Sequence, residues 1–224
     1  MKTMTRGPVI HRSGFRSYLN EYSAQRFPKE AILLHGTSTT SARSVCKGWG
    51  HRRNGPTTRT KSSYVVDQDG AIYEMYQPEF WARHIGMESQ NPDLIHDRRT
   101  IGIDLVNPGP LRVDGADPRQ MNWLPNQFRA RYCGAEETDK YIAADFRGES
   151  YFGSYPLAQI AALRFLMERL GKQFDIPMVA PPPEKRMVCD PDYFLTYRGI
   201  ASVQNLRNDR FDVGPAFDWS WLGT

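Results

Sequence analysis

Cysteine is scarce in this chain: Cys46, Cys133 and Cys189 are the three among 224 residues. They are odd in number and far apart, so a disulfide framework is not expected, and no CxxC pair offers a redox or metal motif. Long apolar runs are missing as well, and none reaches the roughly 20 residues that a membrane helix needs. The opening stretch Met1 to Pro8 lacks the apolar segment of a secretory signal,. The expectation is synthesis in the cytosol without a cleavable signal, with release or export by a route that needs no such signal left open. Dense basic runs are absent too. His51-Arg52-Arg53 and Arg59-Thr60-Lys61 are scattered and read as a solvated loop, so no nucleic-acid partner is expected,. There is no internal repeat and no low-complexity tract.

What is present suits one large domain or two small ones. Apolar residues make up 40% of the chain, enough for a sizeable core, and the charges are well mixed,. The net charge of +4 and the pI of about 9.0 suit an anionic partner such as a cell-wall polymer, and equally suit plain solubility. Nothing in the sequence sets the oligomeric state.

Residues 1–28 are polar and broken by Gly and Pro, and read as an N-terminal extension with a short helix near Phe15 to Ala24. Residues 29–224 form the main domain. The apolar run Ala31-Ile32-Leu33-Leu34 predicts a buried strand that delivers His35 at its carboxyl end,. Hydroxyl-rich Thr37 to Ser41 suits a helix start and leads into a short helix near Ser44 to Trp49, followed by a polar loop from His51 to Lys61,. Ser63 to Val66 and Ala71 to Tyr76 flank Asp67-Gln68-Asp69-Gly70, a hairpin signal,. Ile101 to Val106 reads as another buried strand with Asp104 inside it, ended by Asn107-Pro108-Gly109-Pro110. From about 107 to 150 no periodicity persists, which predicts a long insertion with short local structure. Ile160, Leu163, Met167, Leu170 and Phe174 share one face of a helix beginning near Ser154 and Pro156,. Pro181-Pro182-Pro183 is a rigid connector, and an aromatic tail, Phe217 to Trp221, closes the chain. Strands alternating with helices imply an α/β domain around a central sheet.

Two residues stand out chemically. His35 ends a buried strand, and Asp212 sits in Arg210-Phe211-Asp212-Val213-Gly214-Pro215, a carboxylate held before a Gly-Pro turn. A His and an Asp are two of the three protein ligands that a catalytic zinc site uses, with a fourth position open to water. The plainer alternatives are a capping or core His, and an Asp that bonds its own turn.

The order of these pieces resembles that of the type-2 N-acetylmuramoyl-L-alanine amidases, the family that also holds the peptidoglycan recognition proteins. The matching pieces are Ala31 to His35, the hairpin Tyr64 to Tyr76, Trp81-Ala82-Arg83-His84-Ile85-Gly86, Ile101-Gly102-Ile103-Asp104, Tyr155-Pro156 with Gln159, and Arg210 to Trp219. The resemblance covers about residues 29–221. It implies a central mixed β-sheet flanked by helices, with a groove for a peptidoglycan stem and zinc at one end. The implied reaction cleaves the amide between N-acetylmuramic acid and L-alanine, with zinc supplying hydroxide near neutral pH and polarising the carbonyl.

Carried over by position, His35 and Asp212 match metal ligands. Asp104 matches a catalytic Glu, one methylene shorter, and Arg210 matches an oxyanion-stabilising Lys. The resemblance puts Thr37, Trp81 and His84 along the substrate groove. It also implies a middle ligand, a His about eight to ten residues before Asp212. None is there: the equivalents are Ser202 or Val203 by spacing and Ile200 by local pattern, while Cys189 and Gln204 are the other side chains that could approach. Two functions follow. One is a peptidoglycan amidase with a remodelled or partial zinc site. The other is a degenerate module of the same fold that binds a muropeptide, or another peptide or glycan, without cutting. A third reading has the 107–150 insertion making protein contacts.

Overall fold

A computed structural model describes residues 8–12, 22–51, 61–87, 94–123 and 131–222. The expected helix near Phe15 to Ala24 and the loop from His51 to Lys61 fall largely outside these residues.

The central sheet has six strands: β1 (Ile10–His11), β2 (Ala31–Gly36), β3 (Tyr64–Val66), β4 (Ile72–Glu74), β5 (Thr100–Leu105) and β11 (Gly199–Ser202), in the spatial order β1-β4-β3-β5-β2-β11. β2 lies between β5 and β11 and is parallel to both. That explains its unbroken apolar run, since a central parallel strand is covered on both faces. The β3–β4 hairpin is antiparallel, so the sheet is mixed. Its turn closes with Gly70 at φ +87°, where a side chain would also run into the Ala158 carbonyl,.

Alternation along the strands assigns two faces. Ile32, Leu34, Tyr64, Val66, Ile101 and Ile103 pack with Ile160, Leu163, Leu166, Met167 and Leu170 of α3 (Leu157–Phe174). Ile200 of β11 belongs to this cluster. The opposite face carries Leu33 and Ala201, packed with Val203, Ile85 and Phe194, and Val65 packed with Ala42, Val45 and Trp49 of α1 (Ala42–His51). By the same alternation His35, Gly102 and Asp104 belong to this second face. Gln159, buried in the first turn of α3, donates through Nε2 to Val66 O at 2.9 Å and Val106 O at 3.0 Å. One side-chain amide thus ties the helix start to the ends of β3 and β5. A five-residue helix, α2 (Ile95–Arg99), precedes β5.

The segment expected to hold only short local structure is instead a second, antiparallel sheet. β6 (Pro110–Val113), β7 (Gln120–Trp123), β8 (Arg131–Gly134), β9 (Tyr141–Phe146) and β10 (Glu149–Gly153) lie in the order β8-β7-β6-β10-β9. Its core is small: Leu111, Met121 and Cys133 are buried, with Trp123, Tyr132, Tyr141 and Tyr151 partly covered. Charged pairs such as Arg112–Glu149 occupy the strands. With so little apolar surface to bury, these strands leave a weak periodic signal. The helix α4 (Pro191–Phe194) precedes β11. Among the described residues no helix is long and apolar enough to cross a membrane.

Candidate functional site

The carboxyl ends of β2 and β5 set the site. His35 and Asp104 are register partners on these parallel strands, so both side chains leave the same face side by side. They line a cavity of about 160 Å³ with Thr37, Thr39, Ser44, Ser62, His84, Arg207 and Arg210. The lining is dominated by hydroxyls, imidazoles and guanidinium groups, so the cavity suits a polar ligand.

Gly102 gives these groups room. A Cβ there would lie 2.8 Å from His84 Nδ1 and 3.0 Å from Ser62 Oγ. Ser62 donates to Asp104 Oδ1 in a short hydrogen bond. His84 is anchored from behind, because Asp97 Oδ1 accepts from the backbone N–H of His84 at 2.7 Å and of Ile85 at 3.0 Å.

Proton counting assigns the two imidazoles. The Thr100 hydroxyl donates its one proton to His96 O at 2.6 Å, so it accepts from His84 Nε2 at 2.9 Å,. Burial pushes the His84 pKa down to about 3, helped by the Lys29 charge, with the Asp97 hydrogen bond opposing. Neutral His84 therefore presents Nδ1 as an acceptor, and His35 donates to it through Nε2 at 2.9 Å. Burial, followed by His84, Arg210 and Arg207, also holds the His35 pKa well below its ordinary value. His35 is left with Nδ1 as its lone-pair nitrogen, the arrangement by which a second imidazole orients a working one.

Asp212 is committed differently. Its Oδ1 accepts from Gly36 N at 2.8 Å and from Arg210 Nη2 at 3.2 Å, and its Oδ2 accepts from Arg210 Nε at 2.7 Å. This is a forked, charge-assisted pair with the carboxylate buried,. Gly36 permits the approach: a Cβ there would already lie 3.3 Å from Asp212 Oδ1. Ser202 Oγ donates to Asp212 O at 2.6 Å, and Tyr155 OH to Val213 O at 3.0 Å, so the turn is fixed at its backbone too.

The Asp212 carboxylate accepts from Gly36 N–H, the residue after His35, but it lines the adjoining cavity with Phe152 and Val213 rather than the one His35 lines. Thr37 and His84 line the cavity of His35 and Asp104. Trp81 is elsewhere: it pairs with Ser23 through the backbone and lies under the Arg98 guanidinium, 4.9 Å from its ring centroid. Gln204 is spent on structure, donating to Arg186 O and accepting from Gly214 N. Cys189 borders a separate depression with Met87 and Leu206. Sequence reasoning gave no site role to Ser62, Thr100, Asp97 or Arg207. Each is a common polar residue in a non-periodic stretch or at a strand end, and only the folded register gives it a partner.

These residues do not fit a three-ligand zinc site. Among the described residues no group of three His, Cys, Asp or Glu side chains could hold a metal ion. His35 Nδ1 could serve as one ligand. A dication at Asp212, however, would have to share the carboxylate with a guanidinium bonded to both its oxygens.

No protein-family model matches the chain, and no curated protein does. Solved structures do match. The N-acetylmuramoyl-L-alanine amidase LysC from Clostridium intestinale URNW aligns over 96% of this chain and 95% of its own, with a TM-score of 0.50 and 12% identity. The E. coli N-acetylmuramyl-L-alanine amidase AmiD, solved with the substrate anhydro-N-acetylmuramic acid-L-Ala-D-gamma-Glu-L-Lys, aligns over 96% of this chain and 64% of its own, at 0.49 and 16%. A mutant endolysin from Bacillus subtilis aligns over 76% and 80%, at 0.43 and 15%. The fold is therefore a mixed α/β fold of the N-acetylmuramoyl-L-alanine amidase kind. At 12% identity the likeness to LysC establishes that fold and no more,.

Proposed function

We propose that this chain is an amidase-fold protein that binds a muropeptide, through its stem peptide, in the cavity between His35, Asp104 and Arg210, and that it does not cut through zinc. The observation that carries this reading is the Arg210–Asp212 fork. It supplies Asp212 with a permanent cation and leaves His35 without the partners a metal needs. The cavity nonetheless keeps a full set of recognition groups. His35 Nδ1 and the Asp104 carboxylate accept hydrogen bonds, Arg210 brings a positive charge, and Thr37, Thr39 and Ser44 offer hydroxyls, while Arg207 is held by Asp209 and the Ile85 and Gly86 carbonyls. A stem peptide presents matching amide N–H groups, carbonyls and carboxylates. The mild net positive charge suits the same anionic partner.

Calorimetric titration with a muramoyl-tripeptide, run with zinc and then with a chelator, tests the reading. Digestion of the same ligand is followed by chromatography. Binding that is equal in both conditions, without release of the peptide, is the expected result. Chelator-sensitive cleavage would overturn it in favour of a remodelled amidase, and absence of binding would remove the muropeptide.

A further inference from the structure

The turn between β9 and β10 breaks a local rule. Arg147 and Gly148 are its two central residues, with φ of +51° and +83°. A two-residue hairpin turn with positive φ at both positions favours Asn-Gly, because a bulky side chain in the left-handed region is strained. An Arg is kept there all the same, and its side chain shows why. Its guanidinium donates to three backbone carbonyls of one segment: Gln204 O at 3.1 Å, Arg207 O at 3.0 Å and, in a short contact, Arg210 O. That segment carries both cavity arginines and runs on to Asp212. The Phe146 ring stacks under the same guanidinium at 4.8 Å, and the Phe146 and Phe152 rings of the second sheet both meet Phe211.

The contact is directional. Beside the ring contacts to Phe211, one side chain of the second sheet fixes three carbonyls of the 204–212 segment at once. Beside it lies a smaller cavity of about 120 Å³, walled by Pro110 and Phe152 on one side and by Gly36, Arg210 and Asp212 on the other. Both cavities share Gly36 and Arg210, so the Arg210–Asp212 pair stands as a partition between them. The partition holds its place only if the backbone of residue 210 does.

We propose that Arg147 is a positioning residue, through which the second sheet fixes the backbone that carries Arg210 and Asp212. The strained turn is retained for this guanidinium, and the second sheet is thereby part of the site. The inference concerns the geometry of the pair and does not depend on which ligand the cavity takes.

Two variants of the full-length chain test it. Arg147→Gly suits the left-handed turn and removes the guanidinium, and Arg147→Lys keeps a charge without the fork. Hydrogen exchange is measured by nitrogen-15 NMR at Gly36 N–H and Arg210 Nε–H, which both bond Asp212, with Ile103 N–H in the central sheet as reference. Losing charge-assisted bonds predicts exchange at Gly36 and Arg210 faster by about tenfold or more in Arg147→Gly. Arg147→Lys is expected to recover part of the protection, with Ile103 unchanged in both. Wild-type rates at Gly36 and Arg210 would overturn the proposal. So would equal acceleration at Ile103, or failure of both variants to fold, since either would make Arg147 a general stabiliser.

Discussion

Gly102 shows how much one residue decides. Its missing side chain leaves room for both His84 and Ser62 over β5, so a methyl group at that point must push one of them aside. Gly102→Ala is expected to keep the fold while weakening muropeptide binding about tenfold or more, because small displacements of positioned groups are costly. Calorimetry alongside thermal melting reads both effects, and unchanged affinity would show that His84 and Ser62 do not shape the ligand site. The two buried imidazoles make a second prediction. His84 titrates near pH 3 in the folded chain and at its ordinary value near 6.5 when unfolded. Between those values the unfolded chain binds more protons, so stability is full above about pH 6.5 and falls as the pH drops toward 3. The slope is about 1.4 kcal/mol per pH unit for each such histidine. Lys29, Asp97, Arg207 and Arg210 set this environment together with His35. Urea midpoints measured from pH 7 to pH 4 should fall less steeply in His84→Gln than in the wild type. Parallel curves would contradict the buried neutral imidazole.

Elements were legible in the sequence where burial is two-sided or strictly periodic. The β2 run, the β5 run, the β3–β4 hairpin and α3 all announced themselves, because each must cover or be covered by the core. The five strands from Pro110 to Gly153 did not, since their apolar residues are few and split between one small cluster and the Phe146 and Phe152 contacts to Phe211. Helix α3 also depends on a polar residue that its apolar face does not reveal. Gln159→Leu removes the amide that satisfies Val66 O and Val106 O, and should cost about 1–3 kcal/mol in urea unfolding,. A cost near zero would mean that water replaces it without penalty. Packing also separates two of the candidate positions of the missing ligand. Ile200 packs with α3 on the far face, whereas Val203 packs with Leu33 and Ile85 on the face of His35. Val203→His combined with Arg210→Ala should gain zinc affinity in a chelator competition. Ile200→His with the same partner should gain none and should lose stability. Equal gains would mean that the face assignment is wrong.

At the scale of the whole molecule, two sheets meet around one ion pair. The central sheet brings His35 and Asp104 together, the 204–212 segment supplies Arg210 and Asp212, and the second sheet grips that segment through Arg147. The approach of the Asp212 turn to the end of β2, seen as the Gly36 N–H bond, could be anticipated only through the family resemblance. The guanidinium fork could not. Arg210 and Asp212 are two positions apart, and only the packed turn points both at the same place. In the proposed function that fork takes up the carboxylate a metal ligand would have to offer. Elemental analysis of the full-length protein, equilibrated with excess zinc and then desalted, tests it most directly. Far less than one zinc per chain is predicted in the wild type. One tightly held zinc per chain, lost on replacing His35 or Asp212, would contradict it.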